Sequence, residues 1–469
     1  MGGPRIQPDP DIAFLLETEA LYHRLFTEPD VAKLELFARF QSQLLGSRTD
    51  RCEALLRAAL DYDSSDPCWR ATVLAHAGKM YLARNRYRLA EERLREAKTL
   101  VSLDDEDCWL AVTISLALAK CHRLQGHFDA VRAEMAALGN RSEVHPVVVF
   151  QQKWFGSLEA ASKGHLGASA DLAREARRQL GSLLRSPSAT EHANAAESFG
   201  LGPLPRKRIH IVRLEADLAR RRGDYVAAAK KIAAAIEGYR RDPEDAVIDY
   251  AKLVQAQVVR QEGAAGALEL AEEARQSLAE RQPRDLPGAA RALRCLAQVW
   301  LQSEDPQRAR PFLEQLVEME PGLYPSGRPL ALFGLGELER LQGRLSEARH
   351  LYRLSEQSAE RVDCLEHCYG QLGVAELNRL ERAHEVPGDI QLLLSRPGAL
   401  EHPSLEFSAA LVGVRAFGRE SDHVNVARRA TERFARRPGA PNWERDVLET
   451  TLESIDAGAP LPPLRLNLP

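Results

Sequence analysis

The sequence predicts an all-α protein, a solenoid in which antiparallel helix hairpins stack on one another. Three observations predict this fold class. With 469 residues, the chain is too long for a single ordinary core. A turn residue, most often glycine, recurs about every 40 residues along most of the chain. A small residue comes seven positions before each of these turns, as two closely crossing helices require.

The turn positions define the repeat, because the phrase "RLQG" ends both at Gly126 and at Gly343 with similar spacing around it. The aligned turn positions are Asn85, Gly126, Gly164, Gly223, Gly263, Glu304 and Gly343. The small residues seven positions earlier are Gly78, Ala119, Ser157, Ala216, Ala256, Ala297 and Gly336. We predict that the two helices of each hairpin cross at the small residue and meet at the turn. A single hairpin cannot bury its own apolar face, so successive hairpins must stack.

Two segments carry the pattern most completely, "AGKMYLARNRYRLAEERLREA" and "LAQVWLQSEDPQRARPFLEQL". Each has a small residue, an aromatic residue four positions before the turn (Tyr81 and Trp300) and an alanine five positions after it. This pattern resembles the tetratricopeptide repeat (TPR) family, in a variant whose period is about 40 instead of 34 residues. The resemblance covers about residues 66 to 360. It implies a right-handed superhelical solenoid with a concave groove that binds partners.

The repeat and its decay predict four parts of the chain. These are an N-terminal helical cap with one degenerate hairpin at 1–65, the repeat array at 66–380, a degenerate C-terminal repeat at 381–457 and a Pro-rich tail at 458–469. The step from Gly164 to Gly223 is longer than the others. We therefore expect a flexible insertion at about 185–207, which is rich in Ser, Ala, Gly and Pro. It ends in a basic run at 206–208, which we expect to be solvated or to contact RNA.

Composition and motifs argue against several classes of function. A net charge of −4 gives no general attraction to nucleic acid or to anionic membranes. We expect no secretory signal, and no apolar run is long enough to span a membrane. Seven cysteines without a CxxC motif favour reduced thiols and a cytoplasmic location. No nucleotide-binding, hydrolase or HExxH motif is present, so we predict no enzyme activity, no catalytic residues and no cofactor.

One cluster could hold a metal, since Cys364 and Cys368 lie one helical turn apart with His367 between them. A zinc site usually has four ligands with tighter spacing. We therefore favour buried helix cysteines and predict no metal site.

The groove that the resemblance implies is expected to be lined by the first helix of each hairpin. The residue after each small residue is never asparagine, which excludes the carboxylate clamp of the chaperone-binding branch. Basic residues recur on this face instead. The predicted partner-binding residues are Lys79, Lys120, Arg123, Arg220, Arg260 and Arg340. They would bind an acidic segment through charge-assisted hydrogen bonds. The alternative is that these arginines only complement the helix dipole.

The function that follows is a non-enzymatic scaffold or adaptor with one or more protein partners. The first alternative is a ligand-sensing regulator that controls an effector protein. A weaker one is an RNA-contacting repeat protein, which the 6% aromatic content disfavours. In the tail, Pro460, Pro463 and Arg465 match a polyproline ligand pattern or belong to a solvated end. The sequence leaves the partner and the oligomeric state open.

Overall fold

The computed structural model consists of helices and short connections. It describes residues 10–45, 48–62, 66–101, 109–139, 145–198, 203–241, 247–261, 266–280, 285–303, 305–319, 324–360, 367–381, 386–395, 401–434, 442–459 and 461. Over these ranges the chain forms 23 α-helices and one 3₁₀-helix, and it forms no strand. The all-α helical-repeat solenoid predicted from the sequence is therefore confirmed.

Successive helices pack against each other in pairs, and the pairs stack along the chain. The first twelve helices are α1 (Pro10–Thr27), α2 (Pro29–Leu45), α3 (Thr49–Asp61), α4 (Pro67–Ala83), α5 (Tyr87–Thr99), α6 (Trp109–Leu124), α7 (Phe128–Gly139), α8 (Pro146–Ser162), α9 (Leu166–Arg185), α10 (Ala189–Ser198), α11 (Leu204–Arg221) and α12 (Tyr225–Arg240). The others are α13 (Val247–Gln261), α14 (Ala267–Glu280), α15 (Leu286–Leu301), η1 (Pro306–Ala309), α16 (Arg310–Glu318), α17 (Gly327–Leu341), α18 (Leu345–Glu360), α19 (His367–Glu381), α20 (Val386–Leu394), α21 (Pro403–Phe417), α22 (Asp422–Glu432) and α23 (Trp443–Asp456).

The hairpin turns need a left-handed backbone, which explains their residue type. Two of the seven predicted turn positions, 263 and 304, lie outside the described residues. The other five all have a positive φ, between 58° and 84°. Glycine adopts this conformation without a steric cost, and asparagine tolerates it better than most residues. The five are Asn85, Gly126, Gly164, Gly223 and Gly343.

The small residues lie where the two helices of a hairpin approach most closely. All seven are buried. A Cβ added to Gly78 would lie 2.5 Å from Cγ of Leu94, and one added to Gly336 would lie 2.6 Å from the ring of Tyr352. These distances are too short for nonbonded carbon atoms, so these two corners have no room for even one more methyl group.

The segment predicted as a flexible insertion contains regular structure. Residues 189–198 form helix α10, and Ala196 within it is fully buried against the core around α8 and α9. The sequence "ATEHANAAES" is rich in alanine, the best helix former, and its apolar side finds a partner surface. The expectation of an irregular loop is therefore wrong for residues 189–198. The basic run 206–208 lies inside helix α11 and not in a loop.

The solenoid winds far enough that its C-terminal helices contact its middle. The carboxylate of Glu401 accepts a hydrogen bond from the backbone N–H of Gly167, and the ring of Phe434 stacks on that of Tyr225 at a centroid distance of 6.0 Å. Residues that are more than 200 positions apart are thus neighbours, and they enclose a space inside the superhelix. The tail motif around Pro460 lies outside the described residues.

Candidate functional site

A cavity of about 370 Å³ lies inside the solenoid. Five helices line most of it, namely α6, α8, α11, α13 and α15. Each of them is the first helix of its hairpin, so the cavity occupies the side of the array that the first helices form. The segment 324–326 and the buried side chain of His402 complete its wall. We call this cavity the chamber.

The lining of the chamber is strongly basic. Seven of its side chains are cationic and one is acidic. The acidic residue is Asp217. The cationic residues are Arg123, Lys207, Arg213, Arg220, Arg221, Arg291 and Arg294. This local excess is hidden in the whole-chain net charge of −4, because acidic residues elsewhere on the chain offset it.

Asp217 already has two partners. Its carboxylate accepts a hydrogen bond from Nη2 of Arg220 at 2.8 Å and from Nε of Arg221 at 2.9 Å. Burial disfavours the charged carboxylate, but Arg221 and Arg220 outweigh it and hold the pKa of Asp217 well below its usual range. Asp217, the one acidic residue of the lining, is therefore ionised and already paired with two arginines of the chamber wall.

A second carboxylate near the chamber, that of Asp285, also has hydrogen-bond partners within the protein. The hydroxyl of Tyr250 donates to the carboxylate of Asp285 at 2.8 Å. The same carboxylate accepts the backbone N–H of Gly288 at 2.9 Å and so caps the start of α15. Burial raises the pKa of Tyr250, which keeps the phenol protonated at neutral pH.

The ring of Tyr250 supports two arginines of the chamber. The guanidinium carbon of Arg291 lies 4.9 Å from the centre of this ring and 5.5 Å from the ring of Tyr324. The guanidinium carbon of Arg213 lies 5.7 Å from the Tyr250 ring. Stacking engages the flat face of a guanidinium and leaves its N–H groups, which lie in the plane, available to an anion.

Arg123 also lines the chamber and has no acidic partner among the described residues. Burial, together with the charges of Arg291 and Arg213, lowers its pKa to about 10 against the opposing effect of Tyr87. Nε of Arg123 and Nε of Arg213 are buried and have no hydrogen-bond partner within the described ranges. Like charges thus converge in a sheltered space, and an anion there would relieve their repulsion.

The structure separates the predicted groove residues into two groups. Arg220, Arg260 and Arg340 are buried, with 4%, 8% and 9% of their surface exposed, and partner binding at these positions stays a prediction. Arg220 pairs with Asp217, and Arg340 pairs with Glu337 at 2.8 Å. In both pairs, the acidic partner lies three residues before the arginine in the same helix. Of these three arginines, only Arg220 lines the chamber.

The other three predicted residues are partly buried or exposed. Arg123 lines the chamber, and the exposed side chain of Lys120 lies near Arg123. Lys79 is partly buried next to Lys120. Burial, together with the charge of Lys120, lowers the pKa of Lys79 to about 8. A positive surface therefore continues from the chamber toward the first hairpin of the array.

Arg213 and Arg291 are not among the residues predicted from the sequence, because the predicted positions cover only the last turns of the first helices. The two lie ten and thirteen positions before their turn residues. Positions 13, 10, 6 and 3 before a turn share one helix face, since residues three, four and seven apart are neighbours. The same face of the first helix, extended by two helical turns toward its N-terminus, includes both arginines.

Of the cysteine cluster weighed as a metal site, Cys364 lies outside the described residues. His367 and Cys368 are buried in α19.

Fold and chamber define a TPR-like helical-repeat protein with a basic concave chamber. No helix within the described ranges combines the length and apolar character needed to cross a membrane. Neither a family model nor a curated protein matches the sequence. Among solved structures, the chain is similar to the one titled "Crystal Structure of the Yeast Tom70", with 12% sequence identity and a TM-score of 0.36 over 92% of this chain and 97% of that one. A similarity this distant assigns neither function nor partner.

Proposed function

We propose that this chain is a non-enzymatic interaction protein, a scaffold or adaptor, that binds an acidic segment of a partner protein in the chamber. One observation carries the proposal. Arg123, Arg213 and Arg291 converge in a sheltered cavity, and none of the three forms an ion pair with a carboxylate in the part of the chain that the structure describes.

A sheltered cation that forms no ion pair, such as Arg123 or Arg213, is costly because it has lost water without gaining a partner of opposite charge. For Arg291, the nearby Tyr250, Tyr324 and Asp285 outweigh burial and raise the pKa. Carboxylate side chains would supply that partner through bidentate hydrogen bonds to the guanidinium N–H groups. The volume, about 370 Å³, is at the lower end of ligand sites. A short acidic stretch would therefore enter the chamber, and flanking residues would pass the exposed Lys120 on the inner wall.

Affinity capture from the native cell, followed by mass spectrometry, tests the proposal. The test variant is Arg213→Gln with Arg291→Gln, which removes two chamber charges. The control is Arg174→Gln with Arg241→Gln, which removes two exposed charges outside the chamber. The wild type and the control should retain a partner with an acidic segment, and the chamber variant should lose it while keeping its helical circular dichroism. Equal recovery of that partner by both variants would refute the proposal.

A second candidate is a ligand-sensing regulator, favoured by the way the chamber closes. Glu401 and Phe434 reach back to Gly167 and Tyr225 from the C-terminal helices. A small anion bound between these parts would change how closely they pack. The curvature of the helical array, which an effector protein would recognise, would change with it. Small-angle scattering with and without citrate separates the two functions, because a sensor should contract on binding and a passive scaffold should not.

A cytoplasmic location is part of the proposal, as is the absence of a membrane partner. The odd number of cysteines supports the location, and Cys52, Cys68, Cys121, Cys295 and Cys368 carry no disulfide in the structure. RNA remains the weaker alternative, although Lys207 of the basic run lines the chamber. The chamber's size suits a short anionic stretch better than a nucleic acid strand.

A further inference from the structure

Three potential metal ligands meet near the turn of the second hairpin. Glu91, His122 and His127 each offer one ligand atom, and these three atoms lie within 4.8 Å of one another. Glu91 belongs to α5 of the preceding hairpin, His122 to the last turn of α6, and His127 follows the turn. The cluster therefore lies outside the chamber and connects two successive hairpins.

The backbone of the turn brings the two histidines together. Gly126 has a φ of 79°, which turns the chain back after α6. The N–H of His127 then donates to the carbonyl oxygen of His122 at 2.9 Å. The two imidazole rings face the same small space, with a centroid distance of 6.3 Å. Packing of α5 against α6 adds the carboxylate of Glu91.

The state of His122 points independently to a missing ligand. Only 4% of its surface is exposed, and its Nδ1 is buried without a hydrogen-bond partner among the described residues. Most buried polar atoms in proteins have a partner, because an unsatisfied one costs free energy. An ion bound to the cluster would give this imidazole a partner.

The carboxylate of Glu91 has other contacts that leave room for an ion. Its Oε1 pairs with Nη2 of Arg95 at 2.7 Å, and its Oε2 accepts a hydrogen bond from Nε2 of Gln125 at 3.0 Å. A carboxylate has about four lone-pair positions, so two hydrogen bonds do not exhaust it. Hydrogen bonds to a ligating carboxylate are also the usual way in which proteins orient it.

We propose that Glu91, His122 and His127 bind a divalent transition-metal ion, Zn²⁺ first of all, that joins the first hairpin to the second. Two imidazoles and one carboxylate form a ligand set that zinc accepts. Three protein ligands leave the fourth tetrahedral position to water or to a donor atom of a partner. His122 is followed directly by Arg123, so the ion would also fix the helical turn that carries this chamber arginine.

The test uses the full chain with any affinity tag removed, after dialysis against a chelator. Titration with Zn²⁺ by calorimetry should show one equivalent bound, and Co²⁺ should give the visible absorption of a tetrahedral site. His127→Gln should weaken Zn²⁺ binding more than about 100-fold, because even changes in the residues that orient a ligand cost 10–100-fold. His127 is exposed, so this variant should fold normally.

Two matched controls complete the test. His165 has the place of His127 in the next hairpin but belongs to no such cluster within the described ranges, so His165→Gln should bind Zn²⁺ like the wild type. Glu91→Gln should weaken binding, whereas Arg95→Gln, which removes only the neighbouring ion pair, should keep it within a few-fold. The proposal is overturned if the wild type binds neither metal, or if His127→Gln or Glu91→Gln binds as the wild type does.

Discussion

Ser157 and Ser169 exchange two hydrogen bonds, in which each hydroxyl donates to the carbonyl oxygen of the other residue at 2.8 Å. Ser157 lies on α8, seven positions before Gly164, and Ser169 lies on α9, five positions after it. Only small side chains let two helices come this close. The corresponding places in three other hairpins hold the pairs Gly78 and Ala90, Ala216 and Ala228, and Gly336 and Ala348.

The first prediction concerns this close approach. Ala216→Leu should lower the free energy of unfolding by about 1–3 kcal/mol, because the added volume forces α11 and α12 apart. Ala234→Leu places the same side chain at an exposed position of α12 and should change stability by less than about 0.5 kcal/mol. Chemical denaturation measures both. Equal stability of the two variants would show that the helices do not cross at Ala216.

The second prediction concerns α10. Ala196→Asp places a charge in a fully buried position and should cost more than about 2 kcal/mol of unfolding free energy. Ala193→Asp, on the exposed side of the same helix, should be nearly neutral. Thermal unfolding of the two variants checks this. If Ala196→Asp melts like the wild type, α10 does not pack on the array, and a loop that can be deleted is the better description.

The third prediction concerns the buried ion pair of α17. Arg340→Gln should destabilise the fold by about 3–5 kcal/mol, because it leaves the carboxylate of Glu337 buried without its cation. Arg344, which is half exposed next to Glu339, provides the comparison. Arg344→Gln should cost at most about 1 kcal/mol. A smaller loss for Arg340→Gln than for Arg344→Gln would mean that Arg340 is free to bind a partner after all.

The fourth prediction concerns Lys79, whose pKa is lowered to about 8 by burial and by the charge of Lys120. An ordinary lysine titrates near about 10.4. Competitive acetylation as a function of pH should therefore reach half of its maximum for Lys79 near pH 8, and Lys120→Gln should move that point upward. His76, which also faces Lys79, has its pKa lowered to about 3 by burial and is neutral throughout this range.

The same shift has a defined effect on stability. Between about pH 8 and 10.4 the unfolded chain binds the proton that folded Lys79 has lost. The contribution of Lys79 to stability is therefore lowest below pH 8 and rises as the pH increases through this window. A half-point of acetylation near 10.4 would show that Lys79 is fully solvated.

The repeat could be predicted from sequence because its signals are local. A left-handed turn selects glycine or asparagine, and a close crossing selects small residues, so both constraints appear at fixed spacing. Ion pairs such as Asp217 with Arg220 were also visible as an acidic residue three positions before an arginine. That spacing marks an intrahelical pair, and it separates structural arginines from available ones.

The chamber and the histidine cluster could not be predicted in the same way. His402 lies near the α11 residue Arg221 only because the C-terminal part of the chain folds back against the middle of the array, and no local pattern encodes that proximity. Glu91 reaches His122 from the preceding hairpin for a similar reason. Sites built from several repeats depend on how the repeats stack.

Binding of a labelled hexaglutamate peptide, followed by fluorescence anisotropy, tests whether the chamber holds an acidic segment. Arg213→Gln with Arg291→Gln should weaken binding by about tenfold or more for each arginine, because each removes charge-assisted hydrogen bonds to a carboxylate. It should also reduce the salt dependence of the affinity. Arg174→Gln with Arg241→Gln has the same net charge and should bind as the wild type does. If the two double variants bind hexaglutamate equally well, the chamber does not hold the acidic segment.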